Sequence, residues 1–328
     1  MEHLSGIVYG VRLHGRLPAD FAPCLSPAEP GAEGLAEVEV EVIWREIDRL
    51  PPFEATWTSE PAPGEAQIRF SLFPHAGRHG AEGFGLAVHG EEAGLFRCTP
   101  ETIDVEWASD PAGAPHHFVT YLLPLWLETR GVPVLHGSAV TVGGSAVGFL
   151  GPSGVGKSTL AAELVRGGCG FVADDGLALQ HRAGAWHCLA GPPLARLWPS
   201  ALRDRLGVET AALPRVRATG DKRRLGLAAN QARPGRHRLA ALYLLERHDR
   251  PDDPPRVAPL DPKQALLRLL EHGVAAAPAA ALGLSQERLD RLAQVAEAVP
   301  MRRLSFPGGT DSAAATLAAI EGDLRWVE

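Results

Sequence analysis

The residues with the clearest capacity for chemistry lie in one run, Gly151-Pro-Ser-Gly-Val-Gly-Lys157-Ser158-Thr159, which fits the pattern G-x-x-x-x-G-K-[ST]. Such a run suits phosphate for physical reasons. Successive backbone N–H groups from Ser153 through Gly154, Val155 and Gly156 to Ser158 can curl around an anion, helped by the positive end of the helix that follows. Gly151, Gly154 and Gly156 permit a close approach and φ values that a side chain would oppose. Lys157 can reach between β- and γ-phosphates as a compact point charge where a planar guanidinium is too broad. Ser158, with Thr159 beside it, offers a hydroxyl to Mg²⁺. Composition sharpens the point: the chain has three lysines against 29 arginines, so a lysine retained here marks a place where arginine fails. The run predicts binding of a nucleoside triphosphate, ATP with Mg²⁺.

Asp174 and Asp175 follow Lys157 by 17 and 18 residues, at the end of an apolar run. Two carboxylates so placed can divide two tasks, one holding the metal and one taking a proton from an attacking hydroxyl. Adjacent strand residues face opposite ways, so both reach one site only if the chain turns, and Gly176 would let it. A surface Asp-Asp-Gly turn has the same appearance. His136, in Val134-Leu-His-Gly-Ser-Ala-Val, reads either as a hydrogen-bonded structural residue or as a catalyst, and Gly137 leaves room for a close neighbour. Gly220-Asp-Lys222-Arg223-Arg224 holds the second lysine. Its cations could stabilise a transferring phosphoryl group or capture an acidic substrate, or simply form a solvated loop before a strand.

These groups need elements to hold them. His116–Arg130 reads as a buried helix stopped by Gly131, with a kink or late start at Pro124. Val132–Val142 and Ser145–Leu150 read as strands joined by Gly143-Gly144, a hairpin signal, and Lys157–Arg166 as a helix stopped by Gly167-Gly168. Gly170–Ala173 leads as a strand into the aspartates. A strand at Ala240–Leu245, helices near Pro262–His272 and Gln286–Ala298, a strand at Met301–Phe306 and a helix at Asp311–Ile320 complete this part. The first 110 residues are β-rich instead, with strand-like runs at Ile7–Leu13, Ala36–Ile43, Gln67–Leu72, Gly85–His89 and Ile103–Trp107. Pro-Gly clusters from Ser26, Pro61 and Asp110 punctuate them. The expectation is a smaller β-rich domain over 1–115 and an α/β domain over 116–328, consistent with a length of 328 residues.

A formal charge of −7 and the lack of a dense basic block argue against nucleic acid as a partner. No run of about 18 apolar residues predicts a membrane span. The start, Met-Glu-His-Leu-Ser-Gly, lacks the pattern of a signal peptide, and Cys24, Cys98, Cys169 and Cys188 are scattered without a C-x-x-C pair. A cytoplasmic protein with reduced cysteines is the expectation.

Taken together, His136-Gly-Ser-Ala-Val, the glycine hairpin, Gly151-Pro-Ser-Gly-Val-Gly-Lys-Ser and Phe171-Val-Ala-Asp-Asp, at these separations, resemble the catalytic domain of the HPr kinase/phosphorylase family. More closely they resemble its kinase-only relatives, some of which phosphorylate peptides in biosynthetic clusters such as those for lasso peptides. The resemblance implies a P-loop α/β fold related to phosphoenolpyruvate carboxykinase, and transfer of phosphate from ATP to a serine of a peptide or protein. It implies that His136 is an active-site residue and Asp174 the base, with Asp175 near the metal, although the division between the two aspartates stays open. Relatives assemble as hexamers, so it also implies a homo-oligomer. Thr159 stands where the family usually has an acidic residue, and the family's downstream glycine-rich signature is only echoed by Arg223-Arg-Leu-Gly-Leu, which argues against phosphorolysis. The first 110 residues do not match the family's N-terminal domain, so HPr itself is not the expected acceptor. Two rival readings are a kinase of a free amino acid or sugar and a nucleotide-binding regulator without chemistry. The absence of N-K-x-D and L-S-G-G-Q runs disfavours GTPase and ABC-type readings.

Overall fold

The alternating runs of the first part pair into a single nine-stranded sheet. The computed structural model describes residues 1–27, 38–60, 68–77, 82–90, 92–108, 110–217, 220–248, 250, 253–307 and 312–325. Its first strands are β1 (Glu2–Val8), β2 (Val11–Leu17), β3 (Ser26–Pro27), β4 (Val38–Glu46), β5 (Trp57–Thr58), β6 (Arg69–Ala76), β7 (Glu82–His89), β8 (Gly94–Cys98) and β9 (Thr102–Trp107). They lie in the order β3-β1-β2-β4-β9-β8-β7-β6-β5. Ile7–Leu13, expected as one strand, is instead the tip of a hairpin. Tyr9 and Gly10 turn the chain with φ of 51° and 72°, the pair of positive values that a two-residue connection requires. A tyrosine is an unusual choice there, and tertiary contacts explain it: its side chain is buried and its N–H donates to Ala190 O at 2.7 Å. The proline clusters expected at 26–31 and 61–64 fall, at 28–31 and 61–64, outside the described residues. At the third, Asp110 caps a helical start by accepting from the Ala112 N–H at 3.0 Å.

Next comes α1 (Ala114–His117), a π-type turn over Phe118–Leu122, and α2 (Leu123–Thr129). Pro124 has no N–H to donate, and the helix absorbs the lost bond in the wide turn just before it. Phe118, Val119, Leu122 and Trp126 share one core with Val8, Leu13 and Trp107 of the first sheet and with Phe21 of the short helical turn after β2.

The remaining elements are β10 (Val134–Leu135), β11 (Ser138–Val142), β12 (Ser145–Leu150), α3 (Lys157–Arg166), β13 (Gly170–Asp174), β14 (Leu177–Arg182), β15 (Ala185–Leu189), β16 (Leu194–Leu197) and β17 (Arg223–Gly226). They continue with β18 (Arg236–His248), β19 (Arg256–Pro259), α4 (Pro262–Glu271), α5 (Ala276–Ala281), α6 (Ser285–Ala298), β20 (Met301–Pro307) and α7 (Ser312–Leu324). A second nine-stranded sheet runs β10-β14-β15-β18-β12-β11-β13, with β20 on β18 and β19 on β20, and β16 pairs with β17 as a separate ribbon. The architecture is mixed α/β.

In this sheet β12, β18 and β20 are parallel, and β12 alternates its side chains between two covered faces. Val147 and Phe149 pack with Leu160 and Leu164 of α3, whereas Ala146 and Leu150 pack with Leu269 of α4 and Leu292 of α6. The single strand expected over Val132–Val142 breaks at His136-Gly137, because β10 pairs with β14 while β11 pairs with β12 and β13. A buried ion pair braces this break: Arg288 Nε of α6 donates to Glu128 Oε1 of α2 at 3.1 Å, and the same oxygen accepts from Val134 N–H at 3.2 Å. All four cysteines are free. Among the described residues no helix is long and apolar enough to cross a membrane.

Candidate active site

The loop between β12 and α3 starts as its strand leaves the sheet. Gly151, Gly154 and Gly156 all hold positive φ, at 145°, 85° and 110°, which is why glycine recurs at these points. Lys157 opens the helix almost fully buried, and its Nζ donates to Gly151 O at 2.8 Å and to Pro152 O at 3.2 Å. Burial pulls its pKa below the usual lysine value, while the nearby carboxylates of Asp174 and Asp175 oppose that shift.

Asp174 ends β13 with its carboxylate turned inward. Ser138 Oγ of β11 donates to Oδ1 at 2.7 Å, and the backbone N–H of Arg196 in β16 donates to Oδ2 at 2.8 Å. The turn expected at Gly176 is made one residue earlier, at Asp175, whose φ is 70°. Gly176 serves a different need: a Cβ there would stand 2.7 Å from Tyr9 Oη, so the tip of the first hairpin sits directly behind the aspartates.

The turn sends the Asp175 side chain the other way. It forms an ion pair with the Arg196 guanidinium, and its Oδ1 lies 3.3 Å from His136 Nδ1. Burial alone would raise the Asp175 pKa, but Arg196, then His136 and His116, outweigh it and hold the carboxyl well below the usual carboxylate range. Arg196 is itself buried and also donates to Thr120 Oγ1 at 2.7 Å, which ties β16 to the helical segment after the first sheet. His136 sits at the break between β10 and β11. Its Nδ1 is also 3.2 Å from the Asp175 backbone oxygen, so that nitrogen faces two acceptors.

A cavity of about 660 Å³ opens over these groups, and Ser153, His136, Asp175, Arg196, Trp198 and Lys222 line it. Ser153 from the glycine loop, His136, Asp175 and Lys222 thus border one space. Asp174, expected as the base, does not line this cavity, and neither do Arg223 and Arg224, which sit in β17 opposite Leu197 and Arg196 of β16. Gly154, Val155, Gly156 and Thr159 line a separate hollow. Arg196 and Thr120 were not singled out from sequence.

Among the described residues, no group of three or more His, Cys, Asp or Glu is arranged as an all-protein metal cage. Mg²⁺ seldom needs one, since it keeps several waters and takes one or two protein oxygens beside phosphate. The partly exposed Ser158 in the first turn of α3 and the Asp175 carboxylate in the cavity supply oxygens of that kind.

No protein-family model matches the chain, and no curated protein matches it in sequence. Among solved structures, the Hpr(Ser) kinase/phosphatase from Coxiella burnetii is similar over 58% of this chain and 89% of its own, at 12% sequence identity and a TM-score of 0.32. At that score the likeness carries no argument about chemistry, which has to come from the residues.

Proposed function

We propose that the chain is an ATP-dependent kinase that transfers the γ-phosphate to a serine hydroxyl of a peptide or protein, on an α/β domain of P-loop type related to the HPr kinases. The observation that carries this reading is the shared cavity: Ser153 of the glycine loop opens onto the same space as the His136–Asp175 pair. A loop built for anions beside an imidazole held by a carboxylate suits phosphoryl transfer to a hydroxyl. Lys157 and the loop N–H groups bind the triphosphate. Ser158 and Asp175 are the groups that would hold Mg²⁺, which supplies charge neutralisation at the phosphates.

His136 Nδ1 faces the two Asp175 oxygens, so the neutral ring carries its proton there and presents Nε2 as the acceptor. The serine proton passes to Nε2, the serine oxygen bonds to the γ-phosphorus, and the bond to the β–γ bridging oxygen breaks to leave ADP. Asp175 stabilises the imidazolium so formed. Asp174, buried outside the cavity and accepting from Ser138 and the Arg196 backbone, positions β16. Lys222 and Arg196 lie along the cavity where charge develops on the transferring group. A volume of about 660 Å³ also accommodates a free amino acid or sugar beside a triphosphate, which makes a small hydroxyl compound the second acceptor class.

The test is labelling from γ-³²P-ATP with the products of neighbouring genes, and with serine and simple sugars, as acceptors. Lys157→Ala and His136→Ala should each slow transfer by about a hundredfold or more with the far-UV circular dichroism unchanged. Transfer at the wild-type rate by Lys157→Ala would sink the kinase reading. Loss in Lys157→Ala but not in His136→Ala would take the base's role away from His136.

A further inference from the structure

The glycine loop borders two spaces. The acceptor cavity meets the loop at Ser153, whereas a second hollow, about 280 Å³, is bounded by Gly154, Gly156 and Thr159. A triphosphate laid in the loop has two ends. Its γ-phosphate must point toward His136 and Asp175, so the remainder of the nucleotide needs a space that borders the loop but not those two residues, and this hollow is such a space.

The walls of the hollow match that occupant. Trp198 and Phe306 give it aromatic surface, and Asp204 and Arg247 give it one acceptor and one donor group. Trp198 is 52% exposed, one of four exposed large apolar side chains among the described residues. It borders both the hollow and the acceptor cavity, and the Lys222 ammonium lies over its ring at 5.6 Å from the centroid. An indole left in water beside a phosphate-shaped loop is a ready stacking surface, because every nucleobase has a π-face to lay on it.

We infer that this hollow is the nucleoside subsite and that Trp198 is the residue on which the base stacks. The inference rests on the proposed nucleotide-dependent transfer and extends it. Arg247 and Asp204 are then available to the base edge and ribose hydroxyls, and Trp198 separates the nucleoside from the acceptor while Lys222 bridges to the phosphates.

Calorimetric titration of the full chain with Mg²⁺-ATP and with Mg²⁺-tripolyphosphate tests this, since the second probe has the phosphates without the nucleoside. The wild-type protein should bind ATP at least about tenfold more tightly than tripolyphosphate, and Trp198→Ala should weaken ATP about tenfold while leaving tripolyphosphate unchanged. Trp198→Phe should recover most of the loss. Unchanged ATP affinity in Trp198→Ala, or equal weakening of both probes, would overturn the subsite and leave the kinase reading standing. If the wild-type protein bound neither probe, the kinase reading would fall and the subsite with it.

Discussion

Asp175 works from a left-handed backbone conformation that most side chains avoid, and the conformation decides where its charge goes. Its depressed pKa has a measurable consequence. A carboxyl held lower in the folded than in the unfolded state adds stability above its unfolded pKa and loses it as pH falls. Urea unfolding should therefore show stability dropping between about pH 5 and pH 3, and Asp175→Asn should flatten that part of the profile. An unchanged slope would assign the acid sensitivity to another group. Lys157 stood out because its glycine-rich pattern is rare by chance, whereas His136 and Asp175 read equally well as structural residues until set beside it. Arg196 was not legible. In a chain with 29 arginines one more carries no signal, and its position depends on β16 running beside the end of β13, a contact no spacing announces.

Elements with a strong local pattern were also legible. β12, α3 and β20 are apolar or periodic runs between clear stops, and α4 begins at Asp261-Pro262, where the Asp261 side chain accepts from Gln264 N–H at 2.9 Å. The hairpin of β14 and β15 was not, since Gln180, His181 and Arg182 break its alternation and its turn places Ala183 at a φ of 50°. Nor was the split of one apolar run into β10 and β11. That break is set by which partners each half finds, and the Glu128–Arg288 pair fixes the strand that leads into it. Arg288→Met leaves a buried carboxylate without its partner and should lower unfolding free energy by about 3–5 kcal/mol in denaturant titration. Glu128→Gln combined with Arg288→Met should recover much of that loss. Additive losses would show that the two side chains do not act as a pair.

At the scale of the molecule, the first sheet and the helical segment after it share one apolar core, and Arg196 reaches from the site to Thr120 on that segment. Composition marked the change from a β-rich to an α/β texture, but periodicity does not reveal which faces meet. A fragment beginning at Pro115 would expose Phe118, Leu122 and Trp126, each at most 2% exposed in the whole chain. It should bind the dye ANS strongly and lose its near-UV circular dichroism, as loosely packed states do. A fragment with sharp near-UV signals and no dye binding would instead establish 116–328 as a self-sufficient unit.

The seat of Tyr9 bears on how the chain is made. Tyr9 leaves the ribosome long before Ala190, which accepts its N–H, and Gly176, whose bare backbone accommodates its ring. During synthesis the hairpin can form early, but its tip has nowhere to dock until the aspartate turn has been produced. Such a distant pairing is slow to close and leaves an aromatic side chain uncovered meanwhile. The turn that aims Asp175 is therefore sealed late in folding, by a residue synthesised long before it.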